Sequence, residues 1–129
     1  MPDARLARAD SYSASRVTSS SFSDAAVFHL QGDLDRGTAA GLRVELRAAV
    51  GEAMVLLDLT GVVFIDSIGV GVLLGAIRSI HERGGVVAIG GADSRRGIAG
   101  ALRSAGVERL VFLSESPAGA MEWLRQDRR

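Results

Sequence analysis

The stretch Met54-Val-Leu-Leu-Asp-Leu-Thr-Gly-Val-Val-Phe-Ile-Asp-Ser-Ile-Gly-Val-Gly-Val-Leu-Leu-Gly-Ala-Ile-Arg-Ser-Ile-His-Glu-Arg83 changes its hydrophobic period part-way along. Met54 to Leu59 is a short, nearly continuous apolar run, the pattern of a strand buried on both faces of a parallel sheet. From about Ile68 to Arg83, Val70, Leu73, Leu74, Ile77 and Ile80 recur at helical spacing and define a core-facing stripe. Gly84-Gly85 ends that helix. In between, Thr60 to Ile65 leads to Asp66-Ser67, a pair with helix-capping chemistry. A buried strand followed at once by an amphipathic helix is half of a β–α–β unit.

The same alternation extends in both directions. Upstream, Ala25 to Leu30 reads as a strand, preceded by a turn at Asp24 and a weak, Ser-rich edge strand within Ser11 to Ser23. Gln31 to Gly37 reads as a loop. Thr38 is placed to cap a helix whose stripe is Leu42, Leu46, Ala49 and Val50, closed by Gly51. Downstream, Val86 to Ile89 is a buried strand. Gly90-Gly91 and Ser94 open a helix with Ile98, Leu102 and Ala105 inward and Gly106 as its stop. Leu110 to Leu113 is a last strand. Ser116-Pro117 is an N-cap with Pro at the first helical position, and the final helix runs to about Gln126. The prediction is a single α/β domain over residues 16–129, with a mixed, mostly parallel sheet of about four or five strands, antiparallel at one edge, and about four helices. Residues 1–15 are polar and aperiodic, and read as a mobile tail. There is no internal repeat.

Composition narrows the function. The chain has 129 residues, 47% of them hydrophobic, enough for one core. Fifteen basic residues, all arginine, balance fifteen acidic ones, so there is no electrostatic footprint for nucleic acid or an anionic membrane. The absence of cysteine excludes disulfides and thiolate chemistry, and with two histidines a zinc site would need carboxylates as well. No cofactor or metal is expected. No apolar run approaches the roughly 20 residues that span a bilayer. Met1 to Asp10 lacks the apolar core of a secretory signal, so the expected location is cytoplasmic.

Enzymatic readings fail on the residues. Gly69 to Gly75 resembles a dinucleotide fingerprint, but Leu74 stands where the third glycine belongs and the glycines lie inside the helix. Ser67 lacks the flanks of a nucleophile elbow. His81 lies 14 residues beyond it on the same helix, roughly 21 Å away at 1.5 Å per residue. Asp58 has the position of a receiver-type phospho-acceptor, but the expected acidic pair and lysine are missing. His29 falls mid-strand. The chain is therefore expected not to be an enzyme.

Asp66-Ser67 remains. Both side chains suit a helix N-terminus, and a phosphate on Ser67 would be tolerated there while adding about −1.5 to −2 charges. On the outward face of the same helix, Ile68, Val72, Gly75 and Ser79 share a side, with Gly71 adjoining; small residues allow close approach of another backbone. The alternative is that the chain's own last helix covers this face. The acids of Gly32-Asp33-Leu34-Asp35 fall in the loop after the second strand, at the end of a parallel sheet where binding sites form, which would set them beside Ser67. The alternative is that they are ordinary turn acids, Asp35 more so than Asp33.

These residues resemble the STAS domain family (sulfate transporter and anti-sigma factor antagonist). Leu30-Gln-Gly-Asp-Leu-Asp-Arg-Gly-Thr-Ala39 is similar to its L-x-G-E-L-D-x-x-T-A opening. Leu57-Asp-Leu-Thr-Gly-Val-Val-Phe-Ile-Asp-Ser-Ile-Gly-Val-Gly-Val-Leu73 is similar to its central L-D-L-x-x-V-x-F-[IM]-D-S-[ST]-G-L-G-V-L. Leu102-Arg-Ser-Ala-Gly-Val107 with Phe112 follows the later pattern. The resemblance to stand-alone bacterial members implies an anti-sigma factor antagonist. In those proteins the serine after the Asp is phosphorylated by an anti-sigma factor that is itself a serine kinase. The unphosphorylated form binds that kinase and frees the sigma factor, and a PP2C-type phosphatase resets the switch. By that resemblance Ser67 is the phospho-acceptor, Asp66 its acidic neighbour and Asp33 the loop acid near the partner. Taken with the helix face, the expected partner contact is Asp33, Asp66, Ser67, Ile68, Gly69, Gly71, Val72 and Gly75. Ile68 stands where Ser or Thr is usual, and Asp33 where Glu is usual. The first change removes a hydroxyl and adds apolar surface. Two alternatives stay open: a scaffold module that is not phosphorylated, and a small-molecule or nucleotide binder.

Overall fold

The computed structural model describes residues 16–22, 24–94 and 96–127. The expected tail, residues 1–15, lies outside them. The strands are β1 (Arg16–Phe22), β2 (Ala25–Leu34), β3 (Met54–Ile65), β4 (Val86–Gly90) and β5 (Phe112–Leu113). The helices are α1 (Ala39–Leu46), α2 (Ser67–Glu82), α3 (Ile98–Ser104) and α4 (Pro117–Asp127). The sheet runs β1-β2-β3-β4-β5, with β1 antiparallel to β2 and the other pairs parallel. This is the predicted α/β architecture, with its antiparallel edge at the Ser-rich strand.

The apolar run at the start of β3 is buried on both faces. Val55, Leu57 and Leu59 join a large core with Phe28, Leu42, Leu73 and Ile77. Met54 and Leu56 face the other way, toward Met121 and Leu124 of α4. Helices α1, α2 and α3 therefore cover one face of the sheet and α4 the other. Phe112 stacks on Trp123 at a centroid distance of 5.1 Å, tying the short β5 to α4.

Several expectations are corrected. The segment read as a loop from Gln31 continues β2 as far as Leu34, and Thr60 to Ile65 continues β3. The register shifts twice, between His29 and Gln31 and between Gly32 and Asp33, because β3 carries an extra residue at each point. The bulges turn the inward positions from a spacing of two to Leu59, Val62 and Ile65, all buried. Thr38 does not cap α1; its hydroxyl instead donates to the Asp33 carbonyl oxygen at 2.8 Å and accepts from the Asp35 amide at 3.0 Å, bracing the turn. Helix α3 begins only at Ile98, after Gly97 at φ 81°, and Ala105 is exposed at its C-cap. The last strand is shortened because Leu110 follows a 3₁₀ turn over Val107–Arg109. The final helix starts as expected, with Ser116 Oγ accepting from the Gly119 amide at 3.0 Å.

Candidate functional site

The C-terminal ends of β2 and β3 meet the N-terminus of α2. Asp66 is extended and its carboxylate accepts from the Gly69 amide at 2.9 Å, an N-cap. Its own amide donates to the Leu34 carbonyl oxygen at 3.1 Å, joining the helix start to the end of β2. Gly69 is buried against that strand, and a Cβ there would run into the Leu34 carbonyl. Asp33 pairs with Phe64 in the ladder and is half-buried. The tertiary fold thus brings together the acidic segment around Asp33 and the Asp66-Ser67 corner.

Ser67 is the first residue of α2 and is exposed. The first turn of any α-helix presents amides without intrahelical partners and a partial positive charge. The Asp66 carboxylate takes the Gly69 amide, so the cap supports the turn while the Ser67 hydroxyl faces outward.

Two grooves flank the outer ridge of α2. One, of about 280 Å³, lies between α1 and α2 and is lined by Arg43, Arg47, Gly71, Gly75 and Ser79 among others. The other, of about 370 Å³, lies between α2 and α3 and includes Asp66, Ser67, Gly71, Leu74 and Ala101. Gly71 borders both. A Cβ at Gly71 or Gly75 would meet nothing within 4 Å, so this chain's own packing does not call for glycine at either place. Interior helical glycine costs about 1 kcal/mol relative to alanine.

Three expectations for this face change. Val72 is 4% exposed and belongs to the core, so it backs the ridge rather than facing outward. Gly69 is buried by the close approach of β2 and likewise presents no surface. The last helix, α4, packs on the opposite side of the sheet, so it does not cover α2; the neighbours there are α1 and α3. Ile68 remains 39% exposed, and beside it the end of β3 leaves Val63 and Phe64 at 61% and 50% exposure. Sequence reasoning missed Val63 and Phe64. Their signal is the broken alternation of Leu59 to Ile65, where the bulges send two consecutive apolar residues outward.

The strongest polar cluster lies elsewhere, on the α4 side of the sheet. His29 Nδ1 is 2.8 Å from Asp58 Oδ2 across the β2–β3 ladder. Asp58 Oδ1 accepts from the Thr60 hydroxyl at 2.6 Å and the Thr60 amide at 2.9 Å. Burial pushes the Asp58 carboxyl up, but the Thr60 bonds and then His29 outweigh it and hold the group below the usual carboxylate range. Both oxygens are engaged, which does not suit a phospho-acceptor. Among the described residues no group of three or more His, Asp or Glu is placed to hold a metal, and no helix is long and apolar enough to cross a membrane.

The STAS domain family model matches residues 17–120. The chain belongs to the STAS domain family. Among solved structures it is similar to an anti-sigma factor antagonist from Mycobacterium paratuberculosis, at 22% identity and a TM-score of 0.70, covering 86% of this chain and 94% of that one. It is similar to the Bacillus cell fate determinant SpoIIAA in its phosphorylated form, at 19% identity and a TM-score of 0.58, covering 76% of this chain and 90% of that one. A sulfate transporter family protein from Wolinella succinogenes matches at 17% identity and a TM-score of 0.67, covering 80% of this chain and 86% of that one. At these identities the likeness is one of fold, shared by regulators and by a transporter-family protein.

Proposed function

We propose that this protein is an anti-sigma factor antagonist whose unphosphorylated form binds an anti-sigma factor serine kinase, and that phosphorylation of Ser67 ends the binding. The observation that carries this reading is an exposed serine at the first position of α2, directly after a capping Asp66, on a ridge bared by Gly71 and Gly75. A neutral Ser67 lets the partner's surface close on that ridge. A phosphoserine adds about −1.5 to −2 charges to the same contact and must be desolvated for binding. The fold tolerates the modification because the helix N-terminus favours an anion. Two similar folds support the assignment, one an anti-sigma factor antagonist and one solved in a phosphorylated form. On this reading the protein acts in the cytoplasm, is not an enzyme, and is reset by a PP2C-type phosphatase.

Asp33, Asp66, Ser67, Ile68, Gly71 and Gly75 form the contact, and Val63 and Phe64 extend it. Gly69 and Val72 act from beneath by fixing the shape of the ridge. A second reading rests on Ile68: an apolar side chain, 39% exposed beside Ser67, suits a scaffold that binds constitutively without phosphorylation.

The deciding experiment is capture of partners from host lysate with ATP, using the parent and Ser67→Ala, followed by phosphopeptide mapping. A captured serine kinase and phosphate on Ser67 establish the switch. A captured partner with no phosphate on Ser67 replaces it with the scaffold.

A further inference from the structure

A second site lies on the face of the sheet turned away from α2. A groove of about 370 Å³ opens between the sheet and α4, within the range of about 300–1,000 Å³ usual for small-molecule pockets. Its walls are apolar: Val27 and Leu56 from the sheet, Pro117, Ala118 and Met121 from α4. At one side His29 and Ser20 enter it, with Ser20 Oγ 3.4 Å from His29 Nε2 and His29 Nδ1 on Asp58. The His29 side chain is 41% exposed and that of Asp58 14%, so the imidazole is the accessible member of the pair.

The chemistry of this cluster selects a ligand class. Asp58 is ionised and accepts through both oxygens, so its contact with His29 requires the hydrogen on Nδ1. Nε2 of the neutral ring is then an acceptor. Its contact to Ser20 is long for an O–H···N bond and readily gives way. A ligand hydroxyl can donate to Nε2 and accept from the Ser20 hydroxyl, completing both. A carboxylate on Nε2 would meet an acceptor with the ionised Asp58 behind it; Arg125 lines the same groove. Ser20 lies within β1 and not on a strand–helix turn, which suits recognition rather than nucleophilic attack.

We propose that the groove between the sheet and α4 binds a small, neutral, apolar molecule carrying a hydroxyl group, held by His29 and Ser20. The proposal is independent of the switch at Ser67, from which it is separated by the sheet.

The test titrates the full chain with 2-naphthol, naphthalene and 2-naphthoate, followed by amide chemical shifts and calorimetry. The expected result is saturable binding of 2-naphthol with shifts at Val27, Leu56 and Met121. Naphthalene and 2-naphthoate should each bind about tenfold more weakly, the loss expected for an unmade hydrogen bond or an unfavourable charge. Ser20→Ala and His29→Phe should weaken 2-naphthol by a similar factor. Ala118→Trp, which leaves the polar cluster intact and fills an exposed position, should abolish binding while the chain stays folded. No saturable shift at these amides overturns the proposal, as does naphthoate binding as tightly as naphthol.

Discussion

The Asp66 amide donates to the Leu34 carbonyl oxygen at 3.1 Å, so the last residue of β2 and the cap of α2 form one corner. Asp33 and Ser67 each lie one residue from that bond. On the proposed reading, a partner that contacts Ser67 would meet the β2 end as well, and a charge placed at Ser67 would not have to move the backbone to be felt.

The first prediction concerns that charge. Ser67→Asp should weaken binding of the captured kinase by about tenfold or more, roughly 1.4 kcal/mol, while the thermal midpoint stays nearly unchanged because an anion at the helix start is favourable. Titration calorimetry and thermal unfolding read the two quantities. Undiminished affinity would sink the switch.

Glycines on α2 should divide into two kinds. Gly69→Ala drives a methyl into the Leu34 backbone and should cost about 1–3 kcal/mol as overpacking. Gly71→Ala and Gly75→Ala enter open space in a helix interior, and each should stabilise the protein by about 0.4–1 kcal/mol. If the ridge is kept bare for a partner, those two stabilised variants should also bind it less well. Denaturant midpoints and affinities for the three variants check both halves.

Loss of the cap is separable from loss of the site. Asp66→Ala removes the acceptor for the Gly69 amide and should cost about 1 kcal/mol, whereas Asp66→Asn keeps an acceptor oxygen and should cost much less. Urea unfolding of the pair distinguishes capping from a general effect of charge.

Acid stability should depend on Asp58. Its carboxyl titrates below the ordinary value of 3.8 in the folded chain, so the ionised form is favoured by folding. That stabilisation is fully present above the unfolded-state value and is lost as the pH falls through the folded one. Comparing urea midpoints from neutral pH down to about 3, across the unperturbed Asp range, the parent should lose more stability than Asp58→Asn. Parallel curves for the two proteins would mean that the Thr60 and His29 bonds contribute little to the charged form.

Local pattern in the chain already implied the alternation of strands and helices, the core stripe Leu73, Ile77 and Ile80, and the capping role of Asp66, because these follow from local hydrophobic spacing and from backbone groups within a few residues, though not that Ser67 beside Asp66 is helical and does not cap. It stopped short at Thr60 to Ile65. There the two bulges of β3 replace the period of two with a spacing of three, and a strand that breaks its own alternation looks like a loop until its partner is known. Gln31 to Leu34 was illegible for the same reason, since its polar residues are held in the ladder by β3. Which groups meet across the sheet was likewise beyond local pattern: His29 and Asp58 are 29 positions apart and pair only through register. The burial of Val72 and Gly69, the exposure of Val63 and Phe64, and the placement of α4 on the far face all depend on how separate elements pack. Spacing along one chain says which residues share a side of an element, but only the packed neighbours decide whether that side meets protein or water.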